Sequence, residues 1–197
     1  MARKKLGVLI SGRGSNMQAL IDAARAPDYP AEVAIVISNV PGAAGLARAA
    51  EAGLPVITID HRKFGKGADA KHLFEAALHQ ALEEAGAEIV CLAGFMRLLS
   101  GSFAGRWYGR MVNIHPSLLP AFKGLDVHAA MLAAGVKIAG CTVHYVSAEM
   151  DAGPIIGQAA VPVLAGDTAE SLAARILAAE HQLYPECVRR VALGQAH

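Results

Sequence analysis

The sequence predicts an α/β fold: an open, doubly wound, mostly parallel twisted sheet with helices on both faces. Three observations predict it. Short apolar runs alternate along the chain with stretches of helical hydrophobic spacing. Glycines and small polar residues punctuate the junctions between them. The alternation breaks in the C-terminal third, where two extended runs follow each other with only a short turn between, so an antiparallel element is expected there.

The elements follow in order. "KLGVLI" is a short apolar run ending in a glycine loop, hence a buried strand. "NMQALIDAARA" carries Met17, Leu20 and Ile21 at helical spacing, and Ser15 or Asn16 is suited to cap it. "EVAIVIS" is the second strand, and "GLARAAEAG" the second helix, with Gly53 as its stop. "PVITID" is strand three. "DAKHLFEAALHQALEEAG" is a long amphipathic helix with Leu73, Ala77, Leu78 and Leu82 on one stripe, ending at Gly86. "EIVCLAG" is strand four, a short helix covers "SGSFAGRWYG", "RMVNIH" is strand five, and "HAAMLAAG" is helical. "KIAGCTVHYVS" and "PIIGQAAVPV" are the two extended runs, joined by "AEMDAG". A final helix starts near "GDTAESLAARI", where Asp167 or Thr168 could cap it. Right-handed crossovers then give a Rossmann-like arrangement. No repeat, low-complexity tract or linker interrupts the chain, so residues 1–197 read as a single domain.

Bulk properties exclude several classes. The chain has 197 residues, 54% hydrophobic and 18% charged, with a formal net charge of +1. That suits a packed globular core and gives no electrostatic case for nucleic acid or an anionic membrane. The apolar run behind "MARKK" is too short for a signal or a membrane span, so a cytoplasmic location is expected. Cys91, Cys141 and Cys187 are widely spaced and lack a CxxC pair, which points to reduced core thiols rather than disulfides or a zinc site.

In open α/β sheets, ligands sit beyond the carboxyl ends of the strands, near the switch point. "SGRGSN" (residues 11–16), "GFMR" and "NIHPS" therefore matter most. Gly12 and Gly14 permit close backbone approach, and the following helix offers free N–H groups to an anion. GK[ST] is missing, as are a third glycine and an acidic ribose ligand, so a single phosphate fits better than a nucleotide pyrophosphate. A plain tight turn reads the same residues equally well. Asn113 and His115 face the same side of strand five, and Pro116 ends pairing there. An amide and a protonated imidazole side by side could hold an oxyanion; the alternative is a loop cap and a satisfied turn. Asp151 in "EMDAGPII" could pair with His115 and fix its tautomer, or serve as an Asx-turn residue. Glu149 is a weaker candidate. Glu180 falls in the apolar stripe of the last helix, beside Leu172, Ile176, Leu183, Cys187 and Val191. A carboxylate there needs a partner, either an Arg or Lys or a ligand amine. Arg97 could pin a ligand or pair with a carboxylate. His61, His72, His79, His128, His144, His181 and His197 form no metal-like cluster and read as surface or structural.

"LISGRGSN", "LAGFMRLLS", "NIHPSLLPAFKGLD", "GCTVHYVSAEMDAGPIIGQAAVPV" and "AAEHQLYP" occur in that order. Together they closely resemble the phosphoribosylglycinamide formyltransferase family, folate-dependent enzymes of purine synthesis, over almost the whole chain. The resemblance implies a formyltransferase fold and transfer of a formyl group from 10-formyltetrahydrofolate to the amine of glycinamide ribonucleotide, without a metal. It implies Asn113, His115 and Asp151 as the catalytic trio, and Gly14, Ser15 and Asn16 as the phosphate-binding turn. Glu180 matches a carboxylate that contacts the glycinamide, and Leu177 stands where some relatives carry a polar substrate contact. Met96, Arg97, Leu98, Leu99, Ser147, Ala148, Glu149, Met150 and Asp151, with Asn113, match segments of the folate pocket. Lys71 falls where relatives often have a folate-contacting arginine, and lacks its planar fork. The expected partners are these two small molecules, with no nucleic acid and no membrane, in a monomer or homodimer. Methionyl-tRNA formyltransferases and formyltetrahydrofolate hydrolases are the nearest rivals. Each is expected to carry an extra domain for which this sequence shows no segment. An idle binding module is the rival outside catalysis.

Overall fold

Seven strands form a single sheet in the order β3-β2-β1-β4-β5-β6-β7. The computed structural model describes residues 2–196, so His197 lies outside the described residues. The elements run β1 (Lys4–Ile10), α1 (Ser15–Ala24), β2 (Ala31–Ser38), α2 (Ala44–Glu51), β3 (Val56–Thr58), a 3-10 turn (His61–Phe64), α3 (Ala68–Glu84), β4 (Ile89–Leu92), α4 (Gly101–Arg106), β5 (Met111–His115), α5 (Val127–Ala133), β6 (Ile138–Tyr145), β7 (Ile155–Pro162) and α6 (Ala169–Ala192). Strands β1 to β5 pair in parallel. β6 runs antiparallel to β7, as the change of rhythm in the sequence predicts, and antiparallel to β5 as well.

The period-2 alternation of β1 divides the core between the two faces of the sheet. Leu6, Val8 and Ile10 pack with Met17, Leu20 and Ile21 of α1 and with Tyr184, Cys187 and Val188 of α6. Leu9 faces the other side, with Phe74, Leu78 and Leu82 of α3 and Phe103 and Trp107 near α4. Gly7 is needed on that side because a Cβ there would meet Leu82 Cδ2 at 2.2 Å. Val127, Met131, Cys141, Val161, Leu172 and Ile176 close a third cluster, where α5 and α6 cover the β6–β7 hairpin. Each such buried side chain contributes about 1.5–3 kcal/mol. The Tyr184 hydroxyl donates to the Leu92 carbonyl at 2.9 Å, with the Val112 carbonyl at 3.3 Å, which ties α6 to the ends of β4 and β5.

Three local expectations need correcting. The α3 stripe is Ala70, Phe74, Leu78 and Leu82, with Glu75 also buried, while Leu73 is exposed and Ala77 only partly covered. Glu75 is accommodated because it accepts hydrogen bonds from the Ser100 backbone N–H and hydroxyl. On α6, Tyr184 and Val188 take the fully buried places that the stripe gave to Leu183 and Val191. Neither Ser15 nor Asn16 caps α1; the cap position is Gly14, in the left-handed conformation at φ 70°. Asp167 and Thr168 divide the α6 terminus: Thr168 forms a reciprocal capping box with Ser171, and Asp167 pairs with Arg175 at 2.7 Å. No helix among the described residues is long and apolar enough to cross a membrane.

Candidate active site

The strand order reverses between β1 and β4, which opens a crevice at their carboxyl ends. Ser11 joins the loops that leave them. Its hydroxyl donates to Asn39 Oδ1 at 2.6 Å and accepts from the Met96 N–H at 2.7 Å. Gly14 turns the chain into α1 where a Cβ would lie 2.9 Å from the Gly45 backbone, so glycine is required sterically as well as conformationally. Asn16 points inward rather than capping. Its Nδ2 donates to Glu180 Oε2 at 2.7 Å in a buried pair. Glu180 is thus held by an amide and not by the Arg or Lys that a salt bridge would need. Burial pushes its carboxyl above the usual range, and the Asn16 bond pulls the other way. Asn16 Oδ1 is buried without a partner among the described residues.

Beyond β4, the mouth of β5 gathers four polar side chains. Asn113 Nδ2 lies 3.2 Å from His144 Nε2. His144 Nε2 lies 3.8 Å from Asp151 Oδ1, and Asp151 Oδ2 lies 3.6 Å from His115 Nδ1. The four form one arc in which Asp151 stands between two buried imidazoles. The other nitrogen of His115, Nε2, is 2.8 Å from the Phe122 carbonyl, so it carries a proton and donates. That carbonyl, more than Asp151, fixes the ring's orientation. Phe122 is itself held, since its carbonyl also accepts from the Ser117 hydroxyl at 2.9 Å. Thr142 and Gln158 fasten the same loop through the Ser117 and Leu119 carbonyls, and the Leu119–Pro120 bond within it is cis.

Asp151 sits in the left-handed region at φ 49°, at the tip of a tight turn. Its Oδ2 accepts from the Gly124 N–H at 3.0 Å, so the residue is more than a local Asx turn. Gly153 allows that turn to close, because a Cβ there would lie 1.8 Å from the Tyr145 carbonyl oxygen. Chemically, the arc offers an amide N–H and an imidazole backed by a carboxylate. That set can stabilise an oxyanion and move a proton.

A formyl transferase family model matches residues 4–188. The phosphoribosylglycinamide formyltransferase of Escherichia coli (strain K12) is 42% identical, over 95% of this chain and 87% of its own length. The crystal structure of the phosphoribosylglycinamide formyltransferase from Brucella melitensis superposes with a TM-score of 0.91 at 52% identity, covering 96% of each chain. The chain belongs to the formyl transferase family. The human trifunctional purine biosynthetic protein adenosine-3 is 49% identical over 98% of this chain, and this chain spans 19% of that protein's length.

Set against this formyl transferase frame, the expected site residues fall into three groups. Asn113, His115 and Asp151 come together in the arc. Gly14, Ser15 and Asn16 form the turn beneath Glu180, and the structure records no bond from Leu177, one helical turn away on α6, to that turn. The expected folate segments lie around the mouth. Met96, Arg97 and Leu98 are exposed, Leu99 is partly buried, and Ser147 to Met150 lead into Asp151. The Ser147 hydroxyl donates to the Glu149 carbonyl at 3.0 Å, Glu149 pairs with Lys123 at 3.4 Å, and Ala148 packs beside Gly101. Lys71 and Arg97 line a cavity of about 450 Å³ with His61, Arg62 and Lys66. Arg62 is committed there to Asp60, whose carboxyl it holds down to about 2. Of the surface and structural alternatives given to His144, burial in the arc removes the first. Its pairing opposite Asn113 joins segments 31 residues apart, so no local pattern marks it. Among the described residues, no group of three or more His, Cys, Asp or Glu side chains could hold a metal ion.

Proposed function

We propose that this protein transfers the formyl group of 10-formyltetrahydrofolate to the amine of 5'-phosphoribosylglycinamide, giving the N-formyl product and tetrahydrofolate. The observation that carries the reading is the convergence of Asn113, His115 and Asp151 at the mouth of β5, on the same sheet edge as a glycine turn that leads into a buried Asn16–Glu180 pair. Acyl transfer to an amine needs those two things: a place for the oxyanion and an acceptor that orients the nucleophile.

In this reading the phosphate rests on the turn at Gly14, Ser15 and Asn16, where the first N–H groups of α1 are free. Glu180 orients the glycinamide. The amine attacks the formyl carbon, and charge develops on the formyl oxygen. Asn113 and the protonated His115 stabilise that charge, and Asp151 offsets the charge on the imidazolium. His115 passes its proton, directly or through a water, to the nitrogen that leaves with tetrahydrofolate, and the proton lost by the attacking amine restores the imidazolium. Holding both reactants in one crevice supplies a large share of the rate. Met96 to Leu99 and Ser147 to Asp151 receive the folate, with Lys71 and Arg97 on its anionic side.

The test is direct: glycinamide ribonucleotide and 10-formyltetrahydrofolate are mixed with the protein, and formyl-glycinamide ribonucleotide and tetrahydrofolate are followed. His115→Ala and Asp151→Asn are each expected to lower kcat by about 10²–10³, with little change in KM for the phosphorylated substrate. Hydrolysis of the donor, or formylation of tRNA, in place of the expected product overturns the proposal.

A further inference from the structure

Four groups meet in the arc, and the proposed mechanism uses three of them. His144 is the fourth, and its chemistry is decided by what surrounds it. It lies directly opposite Asn113 in the β5–β6 ladder, where cross-strand Cβ atoms approach to about 4.5–5.5 Å. The β6–β7 register slips between Val143 and His144, so β7 carries one extra residue at this point. Such bulges bend a strand locally and re-aim its side chains.

The hydrogen bonds fix the ring's tautomer. His144 Nδ1 is 2.9 Å from the Tyr145 carbonyl oxygen. A carbonyl only accepts, so Nδ1 carries a proton. A second proton on Nε2 would need an acceptor. Asp151 Oδ1 is 3.8 Å away, beyond hydrogen-bonding range. Burial pushes the His144 imidazole below its usual value, and the neighbouring His115 pushes the same way. The bond to the Tyr145 carbonyl and the Asp151 carboxylate oppose them. The ring is therefore neutral, with its lone pair on Nε2 facing Asn113. A lone pair cannot face the amide oxygen favourably, so the Asn113 amide must present its NH2 group to it, as the 3.2 Å contact records.

We propose that His144 is a positioning residue: its unprotonated Nε2 anchors one N–H of Asn113, which sets the amide's orientation and leaves the second N–H to meet the oxyanion. This rests on the proposed formyl transfer. It goes further by assigning a task to a residue that touches none of the reacting atoms. Without the anchor, the Asn113 amide can turn its oxygen toward the developing negative charge and convert a stabilising contact into a repulsive one.

Two measurements test it. In the intact protein, 15N-histidine NMR between pH 6 and 8 is expected to show His144 as the Nδ1–H tautomer, with Nε2 unprotonated. A protonated Nε2 in this range overturns the proposal, whatever reaction the protein catalyses. In formyl-transfer kinetics, His144→Phe removes the acceptor, and kcat is expected to fall by about 10-fold to 10²-fold, within the range set by loss of an oxyanion donor, with both KM values nearly unchanged. His144→Gln, whose side-chain oxygen can accept from Asn113, is expected to recover most of that loss. In an Asn113→Ala background His144→Phe is expected to add nothing, because its effect runs through that amide. A folded His144→Phe protein with wild-type kcat, or additive losses in the double variant, overturns the assignment. Absence of formyl-glycinamide ribonucleotide formation by the wild type overturns instead the functional reading on which it rests, and leaves the tautomer measurement decisive for His144.

Discussion

Replacing Asn16 by Ala removes the sole hydrogen-bond partner, among the described residues, of a buried carboxylate. The bond is 2.7 Å long and buried, and a charge-assisted bond of this kind contributes about 1.5–3 kcal/mol. Glu180 already titrates above the usual 4.5 because burial disfavours its charged form, with the Asn16 bond as the opposing influence. Deleting that influence raises the carboxyl further, because burial then acts unopposed. A carboxyl that titrates higher in the folded than in the unfolded state binds more protons when folded. Stability is then greatest below the unfolded value of 4.5 and is lost as pH rises through the folded value. The variant loses more over that window than the parent does. Urea denaturation at pH 5 and pH 8 measures it. At pH 8 the expected loss is about 2–3 kcal/mol, or a midpoint lower by about 1 M. At pH 5 the loss is smaller, because the raised carboxyl favours its protonated form there and less charge is left buried without a partner. Adding Glu180→Gln should flatten the difference. Equal losses at both pH values would show that Glu180 is not a buried anion held by Asn16, and the reasoning fails.

Two further predictions come from the backbone. Gly153→Ala places a Cβ against the Tyr145 carbonyl, so the turn must shift and carry Asp151 with it; a stability loss of about 1–3 kcal/mol in urea and at least about tenfold lower kcat are expected. Wild-type turnover in that variant would mean that Asp151 does not need this turn. Thr168→Ala breaks the α6 capping box and should cost about 1 kcal/mol in thermal or urea denaturation while leaving formyl-transfer kcat unchanged, since Thr168 lies outside the site.

What could be read in the sequence is what depends on local pattern. Alternating runs gave the parallel sheet, the loss of alternation gave the hairpin, and a polar i, i+2 pair before Pro116 marked the mouth of β5. Glu180 was visible as a charge within an apolar stripe. What could not be read depends on pairing between distant segments. The α1 cap moved to Gly14 because Asn16 is drawn to a carboxylate 164 residues away. His144 stayed hidden because period-2 alternation says which side a residue faces but not which residue stands opposite, and its partner Asn113 is 31 residues back. His115 illustrates the same limit. Its ring is set by the Phe122 carbonyl, a backbone group without a side-chain signature.

Tyr184 and Glu180 both belong to α6, and between them they reach β4, β5 and α1. This has a consequence for biosynthesis. A ribosome delivers the glycine turn well before the helix that completes it. Through most of translation, the apolar face of α1 and β1 has no cover from α6, and Asn16 lacks the carboxylate that holds it in the folded chain. The nascent chain is thus most prone to aggregation while Asn16 has no partner to hold it. Both conditions end together when residues 169–192 emerge and dock.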